Sequence, residues 1–313
     1  MSEQSAQCRD VRRFIIRAGM LAIVNIALAW AALWATGSYR SYAQWETDSI
    51  LYATPRNTPF DFVSLGTSRT RIFSEFKANH DFIVNDLGLR FLNMAIPFGG
   101  GILPERLFLE NFFDRGNGAK AVVLFLDPFV LFSDRLNREH RFVYYEPFRM
   151  RFMAKLIANR FPAERLMTYV RSKFGRYWFE RGPLVKDRDV RVVDVAHADP
   201  AALRKRMENL YPEGLNPSNF ERYSREVVRI LDMAASHGSR SFVVILPTLL
   251  GEEPGHGKTL AFLEQCRAQH PFTLCDWSKT MQEARFFADH DHLNHEGFKH
   301  MARTLLLPAL GAS

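Results

Sequence analysis

Cysteine is scarce in this chain. Three stand among 313 residues, Cys8, Cys266 and Cys275, and no two form a Cys-x-x-Cys pair. That spacing argues against a zinc site built on thiolates. Cys266 and Cys275 are close enough in sequence to bridge in an oxidising compartment, and two buried free thiols are the other reading. There is no internal repeat and no low-complexity tract, so a repeat architecture is excluded as well. Zinc-finger and RNA-binding signatures are also missing. Acidic residues are outnumbered, 34 against 41 basic, for a formal net charge of +7 and a pI near 9.4. With no nucleic-acid signature, that excess points to a membrane surface or an anionic envelope polymer.

The other abundance is apolar. Hydrophobic residues make up 47% of the chain, enough for a substantial core. An apolar run from Phe14 to Thr36, interrupted by Arg17 and Asn25, follows Arg9, Arg12 and Arg13. A membrane-crossing helix needs roughly 20 such residues. Trp30 and Trp34 near the far end suit an interfacial belt, and the leading arginines orient the N-terminus toward the cytoplasm. The run is longer than a signal-peptide core, and Ala-Thr-Gly-Ser is a weak cleavage site. The expected organisation is a cytoplasmic tail over 1–13, an anchor over 14–36, a linker over 37–58 and an extracytoplasmic domain over 59–313. That arrangement implies a single-pass protein of the cytoplasmic (inner) membrane with a periplasmic or otherwise external domain.

Beyond the linker, apolar runs alternate with helical spacing. Strands are predicted at Asp61–Leu65, Ala121–Leu126, Ser241–Leu246 and Phe272–Cys275, with a further apolar stretch over Phe91–Pro97. Helices are predicted from Arg69 to about Asn79 and over Leu103–Phe113, Phe220–His237, Thr259–His270 and His295–Leu307. This alternation defines an α/β domain with a parallel sheet and helices on both faces. It breaks between about 132 and 217. From Arg141 to Arg181 that insert has ten basic and three acidic residues, interleaved with aromatics such as Phe148, Phe152, Phe161, Tyr169 and Trp178. It reads either as a structural cap with its aromatics packed on the α/β domain, or as a docking surface for anionic lipid or a membrane partner.

Two stretches carry candidate chemistry. Asp61–Thr70 reads Asp-Phe-Val-Ser-Leu-Gly-Thr-Ser-Arg-Thr: an apolar strand, a glycine turn and the start of a helix. Ser68 at that junction is either a helix cap or a nucleophile at the carboxyl edge of a sheet. The second stretch, Phe287–Phe298, reads Phe-Ala-Asp-His-Asp-His-Leu-Asn-His-Glu-Gly-Phe. Asp289 lies three residues before His292, a spacing that lets a carboxylate hold one imidazole nitrogen while the other faces a nucleophile. Asn294 is placed to cap the last helix. Asp289, His290, Asp291, His292 and His295 are also potential metal ligands, so a metal-dependent hydrolase is a second reading.

Gly66-Thr67-Ser68 after a strand, with Asp289-x-x-His292-Leu-Asn near the end of an α/β chain, resembles the SGNH/GDSL hydrolase superfamily over roughly residues 58–308. Within it the chain is most similar to the membrane-anchored envelope branch that includes alginate O-acetylation and teichoic-acid D-alanylation proteins. The resemblance implies a three-layer α/β/α fold with Ser68 as nucleophile, His292 as general base and Asp289 as its orienter. It also implies an oxyanion hole drawn from the Ser68 N–H, Gly99 or Gly100, and an asparagine, with neither metal nor cofactor. Two positions depart from the pattern. Thr67 stands where the family has Asp, and the Gly-x-Asn-Asp block expected after Ala121–Leu126 reads Leu126-Asp127-Pro128-Phe129, leaving Asn93 as the asparagine donor. The implied function is acyl transfer to, or ester cleavage on, a cell-envelope polysaccharide, with a multi-pass membrane acyltransferase as partner and no nucleic acid. The missing block keeps a non-catalytic assembly subunit on the same fold as the alternative.

Overall fold

The computed structural model describes residues 3–37, 55–95, 100–138, 143, 148–173 and 200–311. Most of the expected linker, Gly99 and the insert residues Tyr144, Tyr145, Phe174, Arg176, Tyr177, Trp178 and Phe179 lie outside them. The described residues fall into two compact units. One joins the N-terminal helix α1 (Glu3–Gly37) to two helices of the insert, α5 (Met150–Ala158) and α6 (Ala163–Arg171). Within α1, Val11–Ala32 is long and apolar enough to cross a membrane, with mean hydropathy 1.9 and none of it buried in protein.

The second unit is the α/β domain. Its strands are β1 (Pro59–Leu65), β2 (Phe91–Asn93), β3 (Gly118–Phe125), β4 (Arg240–Ile245) and β5 (Thr273–Asp276). They form one sheet in the order β2-β1-β3-β4-β5, every neighbouring pair parallel. Its helices are α2 (Lys77–Asp81), α3 (Ile102–Asp114), α4 (Asp134–Asn137), α7 (Pro200–Leu210), α8 (Pro217–Ser236), α9 (His256–Arg267), α10 (His295–Met301) and α11 (Leu307–Gly311). Strand side chains alternate between faces. Phe62, Phe91, Val123, Phe125, Phe242 and Val244 share one core with Phe73, Phe82 and Phe298. Val63, Leu65, Val122, Leu124, Val243 and Ile245 are equally buried and face the other way, where α8 packs on β4 and α3 on α8.

The sheet has a switch point between β1 and β3: the chain leaves β1 to build β2 on one side, then returns to build β3 on the other. Ligands of open parallel sheets bind at the carboxyl ends of strands beside such a point. Ser68 follows β1 there, and Asp127 follows β3.

One predicted helix is corrected. The segment from Arg69 to Asn79 is not a single α-helix but a 3-10 turn, Ser68–Phe73, followed by α2 and a π turn, Phe82–Asp86. The break has a local cause. In an α-helix the Thr70 carbonyl would accept the Ser74 N–H. Here it accepts from Asn93 Nδ2 at 3.0 Å, while Ser74 N–H turns to the Arg71 carbonyl at 3.0 Å. Farther on, Asn79 Nδ2 takes the Ile72 carbonyl at 2.6 Å. The turn ends on Phe73, fully buried, its ring centroid 5.1 Å from that of Phe125 and 4.9 Å from that of Phe298. A phenylalanine so placed anchors Ser68 through the core, and truncating one typically costs about 3–5 kcal/mol.

Cys266 and Cys275 are free thiols, the first buried. Within the insert, the described aromatics pack on one another. Phe148 stacks on Tyr169 at 5.5 Å, Phe152 meets the same ring edge-on at 5.4 Å, and Lys173 lies 4.8 Å from its centre. These aromatics form a small core of their own in the unit that contains α1.

Candidate active site

Ser68 occupies the first position of its turn, and its neighbour Thr67 provides the cap, accepting the Arg69 N–H on Oγ1 at 3.4 Å. The serine hydroxyl is thereby left for other work. Its Oγ lies 3.1 Å from His292 Nε2, across 224 residues of sequence. Gly66 makes the turn tight: a Cβ there would sit 2.4 Å from Thr70 Oγ1 and 3.1 Å from Phe125 Cβ.

His292 sits on a loop pinned at both ends. Phe287 and Leu293 form a bridge, and the Ala288 N–H donates to the His292 carbonyl at 2.8 Å. Asn294 caps α10, accepting the Gly297 N–H at 2.9 Å and donating to the Arg285 carbonyl at 2.6 Å. Inside the loop, Asp289 Oδ1 accepts the N–H groups of Asp291 and His292 at 2.9 and 2.8 Å. That turn aims the carboxylate at the ring, with both oxygens 3.0 Å from His292 Nδ1. Ser68, His292 and Asp289 are thus brought together, with Ser68 and Asp289 on opposite nitrogens of one imidazole.

A second carboxylate, read in the sequence only as a potential metal ligand, faces the same ring. Asp291 Oδ1 is 3.3 Å from Nδ1, and unlike the half-exposed Asp289 it is buried. Its other oxygen is held by Arg206 of α7, at 2.7 Å from Nη2 and 3.2 Å from Nε. Burial opposes the charge on Asp291, but His292, Arg69 and Arg206 outweigh it and hold the carboxyl well below the usual range. Burial likewise opposes charge on His292, and the two carboxylates overcome it, raising the ring to about 9.

That value sets a pH dependence. A raised histidine value means the protonated ring stabilises the fold fully below its ordinary 6.5, with that stabilisation lost as pH rises through about 9. The free base exists above the same midpoint. In an ester-cleavage assay, kcat/KM is expected to rise with pH toward a midpoint of about 9. Asp291→Asn removes one of the negative charges favouring the imidazolium, so the midpoint should move down. A midpoint that stays put in that variant would remove Asp291 from the electrostatics of the ring.

Beneath the triad lies a buried ion cluster centred on Arg69, a residue that sequence reasoning treats only as the start of a helix. Its Nη1 pairs with Asp127, Nε donates to the Asp291 carbonyl at 2.8 Å, and Nη2 donates to the Leu246 and Pro247 carbonyls at 3.2 and 2.7 Å. Glu253 Oε1 stands 3.8 Å away. Burial works against the Arg69 charge, and Asp127, Glu253 and Asp291 more than compensate, raising its value. Glu253 is itself pushed up to about 7 by burial, with Arg69 opposing.

The two departures from the SGNH pattern meet in this cluster. Thr67 Oγ1 donates to Asp127 Oδ2 at 2.5 Å, while Arg69 takes Oδ1. A carboxylate at position 67 would confront the carboxylate of Asp127, and the threonine hydroxyl donates to it instead. An ionised Asp127 is an acceptor only and supplies nothing to an oxyanion. Asn93 does not substitute for the missing asparagine. Its Nδ2 donates to the Thr70 carbonyl and Ser74 Oγ, both at 3.0 Å, and its Oδ1 accepts from Ser64 and Ala95. It ties β2 to the nucleophile turn. Gly100 is buried just ahead of the Gly101 cap of α3, and Gly99 lies outside the described residues.

Asp289, Asp291 and His292 bring one ligand atom each within 4.8 Å of one another, so these three could hold a metal ion. A cation on Nδ1 would leave the ring proton on Nε2, facing Ser68 as a donor rather than a base. The metal and serine readings therefore exclude each other at one ring. His295, also a candidate ligand in the sequence, bonds to Asn79 instead.

Ser68 and His292 line a cleft of about 280 Å³ with Arg71, Glu75, Phe76 and Asp289. No protein-family model matches the chain, and no curated protein matches it. Among solved structures, a "putative acylhydrolase" from Bacteroides fragilis NCTC 9343 aligns at a TM-score of 0.42 and 11% identity, over 84% of this chain and 92% of that one. Likeness at this level carries no functional argument. The fold and the cleft define an α/β protein with a serine, a histidine and two aspartates gathered at the carboxyl edge of a parallel sheet.

Proposed function

We propose that this protein is a membrane-anchored serine acyl hydrolase or acyltransferase of the SGNH kind, acting on acyl esters of a cell-envelope polysaccharide. The observation that carries the reading is the relay Ser68 Oγ, His292 Nε2, His292 Nδ1, Asp289, with 3.1 and 3.0 Å between partners. Ser68 attacks the acyl carbonyl as His292 takes its proton. The tetrahedral oxyanion is held by the backbone N–H of Ser68 and of Gly99 or Gly100. Its collapse breaks the ester C–O bond, and His292 returns the proton to the departing oxygen. Water then completes hydrolysis, or a sugar hydroxyl completes transfer, by the same steps reversed. A cleft near the lower limit of small-molecule sites suits a short acyl group such as acetyl.

Anchoring through α1 with the N-terminus inside would put this chemistry outside the cytoplasmic membrane. A transferase there needs an activated acyl group delivered across the bilayer, for which a multi-pass membrane acyltransferase is the expected partner. A non-catalytic assembly subunit is the second reading. What favours it is the engagement of Asp127 and Asn93 elsewhere, which leaves the oxyanion with backbone donors alone. A fluorophosphonate probe separates the two. The expected result is a single covalent adduct on the peptide containing Ser68, unaffected by a chelator. No adduct at pH values above about 9, where His292 is the free base, would favour the assembly subunit.

A further inference from the structure

The α5–α6 pair carries more apolar surface than its own core uses. Phe152 and Leu156 of α5 and Tyr169 of α6 face inward. A second stripe faces out. On α5 it runs Met150, Ala154, Ile157, an i, i+4, i+7 pattern, with Met150 and Ile157 53% and 56% exposed. On α6, Met167 is 49% exposed and its neighbour Leu166 is half-buried. Around these stripes the charge has one sign. Residues 148–173 contain seven basic side chains and one acidic, Glu164. Arg151, Arg160 and Arg171 are exposed, and Lys155 and Arg165 partly so. Lys173 is buried over Tyr169, so it is not part of this surface.

An apolar stripe bordered by arginines on a short helix is the composition of an element lying in a membrane interface. Its location agrees. The pair belongs to the same compact unit as α1, and Trp30, near the far end of the candidate span, meets Phe148 edge-on at 6.5 Å. Trp30 at that end suits the headgroup level of a bilayer. A helix pair packed beside it reaches the same level, and its surface charge complements anionic headgroups.

We propose that α5 and α6 form an interfacial element that lies on the bilayer beside α1, with Met150, Ile157 and Met167 at the acyl-chain boundary and the arginines on anionic lipid headgroups. This rests on the reading of α1 as an anchor and not on the serine chemistry. The test uses the full chain in nanodiscs, with a photocrosslinker introduced singly as Ile157→p-benzoylphenylalanine or Met167→p-benzoylphenylalanine. Val24 in the anchor serves as the positive position and Arg225 on α8, in the other unit, as the comparison position. Lipid adducts are expected at 157 and 167 in phosphatidylcholine with roughly a third phosphatidylglycerol, falling roughly tenfold in phosphatidylcholine alone or on Arg151→Glu, Arg160→Glu and Arg171→Glu together. Lipid adducts at Val24 but not at 157 or 167 would overturn the proposal. So would yields independent of lipid charge, or adducts to a second protein chain alone. Missing adducts at Val24 would overturn the anchor reading itself. The lipid comparison needs no charge variant, so a folding defect in the triple variant would leave the test intact.

Discussion

Replacing Ser68 with alanine is expected to lower kcat/KM for ester cleavage roughly 10⁴-fold or more. Unfolding should shift by no more than about 0.5 kcal/mol. The two halves of that expectation have separate causes. The hydroxyl meets His292, so on the proposed mechanism its loss removes the nucleophile. The cap of the turn is Thr67, so the backbone keeps its local partner. His292→Ala should match the loss, since base and nucleophile act as a unit. Asp289→Asn should cost less, because Asp291 still faces the ring at 3.3 Å. Kinetics on a soluble aryl acetate, alongside a thermal melt of each variant, would check the set. Undiminished turnover in Ser68→Ala would abandon the serine mechanism and leave the metal reading at Asp289, Asp291 and His292.

The largest effect on stability is expected at Arg69. Arg69→Met removes a buried guanidinium and leaves Asp127 and Glu253 facing each other without a cation. Breaking a buried pair in this way costs about 3–5 kcal/mol. For a domain of this size that is a fall of roughly 10 °C in melting temperature. Adding Asp127→Asn should recover part of the loss, since the carboxylate no longer needs a partner. Arg69→Lys should rescue poorly, because one ammonium cannot match a planar fork that reaches Asp127, the Asp291 carbonyl and two carbonyls after β4. Differential scanning fluorimetry of the single and double variants measures the coupling. A melting temperature unchanged in Arg69→Met would show that the cluster contributes nothing to the fold.

The strands were legible because buried parallel strands need continuous apolar side chains, and Ala121–Leu126 and Ser241–Leu246 offer little else. The Asp289-x-x-His292 pair was legible because its geometry is local, four residues of one loop. The helix after Ser68 was not, since its interruption depends on Asn93 reaching across from another strand to claim the Thr70 carbonyl. Nor was the Arg69 cluster, whose partners come from segments 58, 184 and 222 residues away. A signal existed nonetheless. Asp127 directly follows six apolar residues ending a strand, a position where a carboxylate is buried unless something charged meets it. In the insert, composition indicated buried aromatics but not which of them meet, and Phe148, Phe152 and Lys173 gather on the one ring of Tyr169.

The convergence of distant segments on Arg69 bears on how the chain is made. A nascent chain that has reached residue 130 already contains Arg69 and Asp127, but Glu253 and the acceptors at 246, 247 and 291 are still to come. Until they arrive the guanidinium has a partial set of partners, and β3 lacks β4 beside it. Contacts of such long sequence separation form late and slowly. The reactive centre is therefore assembled last, once residues 289–292 have been synthesised and docked. A chain cut short before that loop has Ser68 without His292, so on the proposed mechanism an immature protein is chemically silent by the order in which its parts appear.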